Sequence, residues 1–161
     1  MIVIAPDARV SALAEIEESV RGTRVEIGPR TVIDSFVKIK PVGGSADVVI
    51  GAHCFLNSGT VVYSGNGVTL GDHVLVAANC TLAPVNHEYR YRDRGVHEGF
   101  LPSKGGIHIG NGAWLGANTV VLDGARIGEG CVVGAGSVVI GELEPYGIYH
   151  GSPARLTGHR R

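Results

Sequence analysis

Residues 109–139 read IGNGAWLGANTVVLDGARIGEGCVVGAGSVV, and every sixth position is aliphatic: Ile109, Leu115, Val121, Ile127, Val133 and Val139. The same step recurs upstream in sets of three: Ile4, Val10, Ile16; Ile27, Ile33, Ile39; Ile50, Leu56, Val62; and Leu70, Val76, Leu82. Four residues after most of these sits something small, among them Ala8, Ala14, Thr31, Cys54, Thr60, Cys80, Ala113, Thr119, Ala125, Cys131 and Ser137. A step of six is neither the period of a helix nor the alternation of a strand. It marks an internal repeat.

Each hexad reads as a short strand followed by a tight bend, with the aliphatic and the small residue pointing inward. Three such sides close a triangular coil. One coil cannot bury its inner face, but coils stacked in parallel bury it against each other. The 25 glycines suit the bends, because glycine accepts positive φ freely. The spacing therefore predicts an all-β domain, 1–161, of about six triangular coils.

The six-step breaks only after Ile16, Ile39, Val62 and Leu82, always between the third hexad of one coil and the first of the next. All extra residues should emerge at one corner of the prism. Three insertions are short, and the fourth, 84–106, is long. A long loop inside a compact repeat is usually functional, so a cleft is expected at that corner with this loop as one wall. From Glu142 the step is lost, and Pro145, Gly147, Gly151 and Pro153 predict an irregular tail, 142–161, running back along the outside of the prism.

Length suits one domain, and a net charge of −1 leaves no footprint for nucleic acid or an anionic membrane. No apolar run of about 18 residues is present, so no stable membrane insertion is expected. Met1 to Val10 has neither a basic start nor a long apolar stretch, and no secretory signal is expected there. Cys54, Cys80 and Cys131 all occupy the small slot, which reads as buried packing. They fit a reducing cytoplasm better than a disulfide or a catalytic role.

His87 is the leading candidate for chemistry. It lies where the register ends and the long loop begins, in Pro84-Val85-Asn86-His87-Glu88-Tyr89. Histidine's ordinary pKa of about 6.5 suits a general base at neutral pH. Glu88, Asn86, Glu98 or a backbone carbonyl could orient the ring. His53 and His73 occupy equivalent bends in successive coils and should stack on the outside of one corner, as a surface ladder or part of a metal site. Zinc would need three or four ligands. Trp114 follows the small slot and should point outward, against a ligand or a neighbouring subunit. Arg155, His159, Arg160 and Arg161 read as a solvated tail or a phosphate contact.

These residues resemble the hexapeptide-repeat acyltransferases. The hexads do so, as do Asn86-His87 at the loop root, the run Gly106-Ile107-His108-Ile109-Gly110-Asn111-Gly112-Ala113-Trp114-Leu115-Gly116-Ala117, and Gly151-Ser152-Pro153-Ala154-Arg155. Within the group the chain is similar to galactoside- and maltose-type sugar O-acetyltransferases. It is more similar to lipopolysaccharide and capsule O-acetyltransferases, through Glu98-Gly99-Phe100 and Ser103-Lys104-Gly105-Gly106. The galactoside and maltose types carry a longer N-terminal helical segment, whereas this sequence starts on its first coil.

The resemblance implies a left-handed parallel β-helix and a homotrimer with sites between subunits. It implies direct acetyl transfer from acetyl-CoA to a sugar hydroxyl, with no resident metal. His87 would be the general base. Asn57, Asn86 and Glu98 would lie on the acceptor side. Trp114, Ala117, Ala135, Pro153 and Arg155 would line the donor, with Arg155 at its phosphates. Three rivals share the repeat: an N-acetyltransferase of a nucleotide-linked amino sugar, a zinc-dependent carbonic-anhydrase-like protein, and a non-catalytic hexapeptide scaffold.

Overall fold

The computed structural model describes the whole chain, Met1–Arg161. Its strands form three faces of a triangular prism. The first face stacks Ile2–Ile4, Val25–Ile27, Val48–Ile50, Val68–Leu70, Ile107–Ile109, Arg126–Ile127 and Glu142–Leu143. The second stacks Arg9–Val10, Val32–Ile33, Phe55–Leu56, Leu75–Val76, Trp114–Leu115, Val132–Val133 and Gly147–His150. The third stacks Glu15–Ile16, Lys38–Lys40, Val61–Tyr63, Thr81–Ala83, Val120–Leu122 and Val138–Val139. Every pairing between coils is parallel, and one 3-10 turn, Val96–Glu98, is the only helical element. No helix is long and apolar enough to cross a membrane.

The aliphatic residues of the repeat stand in vertical columns. Ile4, Ile27, Ile50, Leu70, Ile109, Ile127 and Leu143 are successive partners along the first face. Val10, Ile33, Leu56, Val76, Leu115, Val133 and Tyr149 are partners along the second. From the second coil onward these residues are buried and form one continuous core. The small slot is buried as well, and it has a chemical duty beyond size. Thr31 Oγ1 donates to the Gly51 carbonyl (2.7 Å), Cys54 Sγ to that of Gly71 (3.1 Å) and Cys80 Sγ to that of Gly116 (3.2 Å). In these three the hydroxyl or thiol bonds a corner carbonyl of the next coil, so the slot ties successive coils together.

The corner glycine after the aliphatic column is fixed by close approach. A Cβ on Gly71 would lie 2.2 Å from Asn111 Oδ1, and one on Gly51 would lie 2.5 Å from the Gly71 carbonyl oxygen. Glycine is not required at every left-handed bend, however. His53, His73 and Asn118 hold φ near +56°, +59° and +60°. Backbone bonds to neighbouring coils, such as His73 N to the Ala52 carbonyl (2.8 Å), hold such residues in place.

All four insertions leave at the corner between the third and first faces, as the register requires. They are stacked and bonded to one another: Gly65 N donates to the Val42 carbonyl (2.9 Å) and Asn66 N to that of Pro84 (2.8 Å). The tail departs from the expectation of an irregular strand outside the prism. Glu142–Leu143 and Gly147–His150 start a seventh coil, and only Arg155–His159 turns back, pairing antiparallel with Gly147–His150 at the end of the second face. The reason is that Leu143 and Tyr149 restore the six-step after a shortened corner, with Tyr149 filling an aliphatic slot at 7% exposure.

Stacking makes a central coil dearer to lose than a terminal one. Leu82 is fully buried, whereas Ile4 in the first coil is 41% exposed. Leu82→Ala is expected to lower unfolding free energy by about 3 kcal/mol and Ile4→Ala by about 1 kcal/mol or less, read from urea denaturation. Equal losses would mean that burial between coils does not hold the fold.

Candidate active site

The long loop starts on the third face. Thr81–Ala83 is its last strand before the insertion, Pro84 is buried, and His87 is exposed. The expected cleft is present on both sides of this histidine. One pocket, of about 380 Å³, lies over the third face and is lined by Val42, Gly43, Tyr63, Ala83, Val85 and His87. A second, of about 370 Å³, lies inside the loop and combines His87 with Glu88, Tyr89, Arg90, Pro102 and Lys104. The first is mostly apolar, and the second carries charges of both signs. A larger depression, about 710 Å³, lies elsewhere, against the first face around His108, Arg126 and Glu142, and contains none of the residues expected at the site.

The side chains considered as orienters of His87 have other partners. Glu88 accepts from the backbone N–H of Arg90 (2.9 Å). Glu98 accepts from Gly95 N (2.8 Å) and closes the Val96–Glu98 turn. Asn86 Nδ2 donates to Asp123 Oδ2 (2.5 Å) and to the Pro102 carbonyl (3.4 Å). The His87 ring therefore faces the two pockets without a side-chain partner from its own loop.

The remaining expected residues lie along another edge. Asn57, Ala117 and Ala135 occupy equivalent turns between the second and third faces. Asn57 Nδ2 donates to the Val76 carbonyl (2.8 Å), and Gly136 N donates to that of Ala117 (2.8 Å). Pro153 and Arg155 lie at the end of the same edge, where Ala154 N donates to the Val138 carbonyl (2.8 Å). Trp114 stands on the outside of the second face, 47% exposed, directly between Leu75 and Val132 in the ladder. Phe55 and Leu75 continue this exposed apolar stripe. One chain thus brings Asn57, Trp114, Ala117, Ala135, Pro153 and Arg155 along one edge and its adjoining face. His87, Asn86 and Glu98 sit at the opposite edge of the third face.

His53 and His73 stack as the register implies, with ring centroids 4.7 Å apart and planes within 8°. No third His, Cys, Asp or Glu converges on them.

Sequence reasoning missed Asp123. This carboxylate is 5% exposed and accepts four hydrogen bonds at the loop's two roots. In the sequence it is simply the first half of an Asp-Gly turn, a signal with a sufficient local explanation.

Comparison with known proteins agrees with this architecture. A family model described as bacterial transferase hexapeptide (six repeats) matches residues 106–141, and one described as hexapeptide repeat of succinyl-transferase matches 47–84. Galactoside O-acetyltransferase of Escherichia coli (strain K12) is 35% identical over 115 residues, 69% of this chain and 53% of that protein. The chain spans about half the length of the curated relatives it matches. The crystal structure of a hexapeptide-repeat acetyltransferase from Vibrio cholerae, complexed with acetyl-CoA, superposes with a TM-score of 0.70 at 28% identity, covering 87% of this chain and 72% of that one. A mutant of AntD, an N-acyltransferase from Bacillus cereus with dTDP and CoA bound, gives a TM-score of 0.84 at 21% identity, covering 99% and 84%. That likeness concerns the fold, a left-handed parallel β-helix. Its winding departs from the usual right-handed rule for parallel crossovers.

The cysteines are arranged against covalent catalysis. Burial pushes the thiols of Cys54, Cys80 and Cys131 above their ordinary range, and all three are free. At pH 8 a disulfide reagent is expected to label none in the native protein and all three in denaturant. A thiol raised in the folded state favours folding while protonated. That contribution is complete below the unfolded thiol's pKa of about 8.5 and is lost as pH rises through the folded value. Alkaline titration of unfolding midpoints should show this fall. Rapid labelling of native Cys54 or Cys80 would place a reactive thiol where the structure has a packed one.

Proposed function

The chain belongs to the hexapeptide-repeat transferases, and on that footing we propose that it is an acetyl-CoA-dependent O-acetyltransferase. The acceptor is a hydroxyl of a sugar or surface-polysaccharide precursor. The observation that carries this reading is His87 itself, at a loop root, lining both pockets. Its neighbouring carboxylates are committed elsewhere in the loop. The imidazole takes the hydroxyl proton as the oxygen attacks the thioester carbonyl. The C–S bond then breaks, and the imidazolium returns the proton to the departing CoA thiolate. The buried cysteines leave direct transfer as the route.

The donor would lie along the edge formed by Ala117 and Ala135, with Trp114 beside it, Pro153 and Arg155 toward its phosphates, and Asn57 of the same edge contacting the acceptor. That edge lies across the third face from His87, so a complete site needs the loop of one chain against the edge of another. The homotrimer that the family resemblance implies would supply that second chain. The apolar stripe of Phe55, Leu75 and Trp114 is suited to contact a donor arm or a second copy. Three buried free thiols suit a reducing compartment, and the cytoplasm, where acetyl-CoA is made, is the proposed location.

Titration with CoA and acetyl-CoA, without acceptor, should show about one site per chain. A panel of hydroxyl and amino sugars should then yield O-acetylated product, with transfer to amines alone pointing to the N-acyl alternative. His87→Ala is expected to lower kcat by about 10²–10⁴-fold while donor affinity stays close to wild type. Full activity in that variant would remove His87 as the base.

A further inference from the structure

We infer that Asp123 is a positioning residue of this site, a buried anchor whose carboxylate draws both roots of the long loop to one point and, through Asn86, sets the place of His87. The inference rests on reading His87 as the general base. Asp123 belongs to the coil above the loop, at the corner just after Val120–Leu122. Its Oδ2 accepts from Asn86 Nδ2 (2.5 Å), Lys104 N (2.6 Å) and Asn66 Nδ2 (3.0 Å), and its Oδ1 accepts from Gly106 N (2.8 Å). All four donors are neutral amides, and none comes from Asp123's own coil. They belong to three features of the same corner: the short insertion below, the start of the loop and its return.

An isolated buried carboxylate is costly, and hydrogen bonds that satisfy its oxygens are what make such a position tolerable. An ionised carboxylate is purely an acceptor, and here three N–H donors crowd Oδ2 while one meets Oδ1. Two of them are fixed by the backbone of the loop's return. Gly106 is adapted to this approach: its φ is +78°, and a Cβ there would lie 2.5 Å from the Asn66 carbonyl oxygen. The Asn66 and Asn86 amides also share a second acceptor, the Pro102 carbonyl, at 3.3 Å and 3.4 Å. The two ends of the loop are thereby tied to each other and to the coils on both sides. Asn86 is bonded directly to His87, so the amide that reaches Asp123 also sets where the histidine leaves the prism.

A purely structural corner residue would also be buried and bonded, so the test must read the histidine. It compares wild type with Asp123→Asn, Asn86→Ala and the double variant. Amide hydrogen exchange at Lys104 and Gly106 reports the anchor, NMR signals of the His87 ring report its placement, and kcat, KM and acetyl-CoA affinity report function. Asp123→Asn sets an amide nitrogen among donors and should speed exchange at Lys104 and Gly106 by at least about tenfold. It should also shift or broaden the His87 ring signals and lower kcat about 10²-fold, the scale of a small misplacement of a reacting group, with acetyl-CoA affinity little changed. Asn86→Ala should move the ring and lower kcat similarly while leaving exchange at Lys104 and Gly106 near wild type. The double variant should lose no more activity than Asp123→Asn alone.

Multiplying losses in the double variant would overturn the proposal, because the two residues would then act independently. Unchanged ring signals in both single variants would overturn it directly. A wild type that transfers to no acceptor would defeat the proposed function. The exchange and ring measurements would still decide whether Asp123 holds His87 in place.

Discussion

The structure depends on one constraint: a triangular coil has an inner face that only another coil can cover. Every inward residue must therefore meet its equivalent one coil away, which is why Ile27, Ile50, Leu70 and Ile109 form a ladder without a slip. A strand pair out of register would set an aliphatic residue against a bend. Extra residues can consequently enter only where pairing has stopped, at a corner. This chain puts all of them at a single corner, and the insertions stack as the coils do. The position of the candidate site follows from the packing rule of the core.

The same constraint decides what could be read from the sequence. The columns were legible residue by residue because a step of six fixes coil, face and direction at once. The cysteine slot, the stacked His53 and His73 and the insertion corner followed from the step alone. The tail was not legible, because Val139 to Leu143 is a step of four and Tyr149 fills a slot held elsewhere by aliphatics. Asp123 was hidden by a local explanation, the turn. The partners of Asn86, Glu88 and Glu98 were also hidden, since hydrogen bonds such as Asn86 to Asp123 join residues 37 positions apart and leave no periodic trace.

The faces divide the labour differently from the corners. The third face separates His87 at one edge from Asn57, Ala117 and Ala135 at the other, and a rigid prism cannot fold these edges together. A site that uses both edges must bring in another chain. The second face, with Phe55, Leu75 and Trp114 aligned and exposed, presents more apolar surface than an isolated solvated sheet requires. Assembly would relieve that exposure and complete the site in one step, so stability and activity would depend on protein concentration together.

A prism fixes its strands well and its loops poorly, and the candidate base is on a loop. Burying Asp123 at the loop's roots resolves this tension. Each of the four N–H groups around it is easily hydrated when the loop opens, but the carboxylate would remain in the corner. Releasing one donor leaves the carboxylate underserved, which costs more than a single exposed hydrogen bond. The roots of the loop share the rigidity of the stack, while Tyr89, Tyr91 and Phe100 farther out remain exposed and free to meet an acceptor. A fold without a deep cavity can in this way place one imidazole accurately, with a single buried charge provided by the next coil.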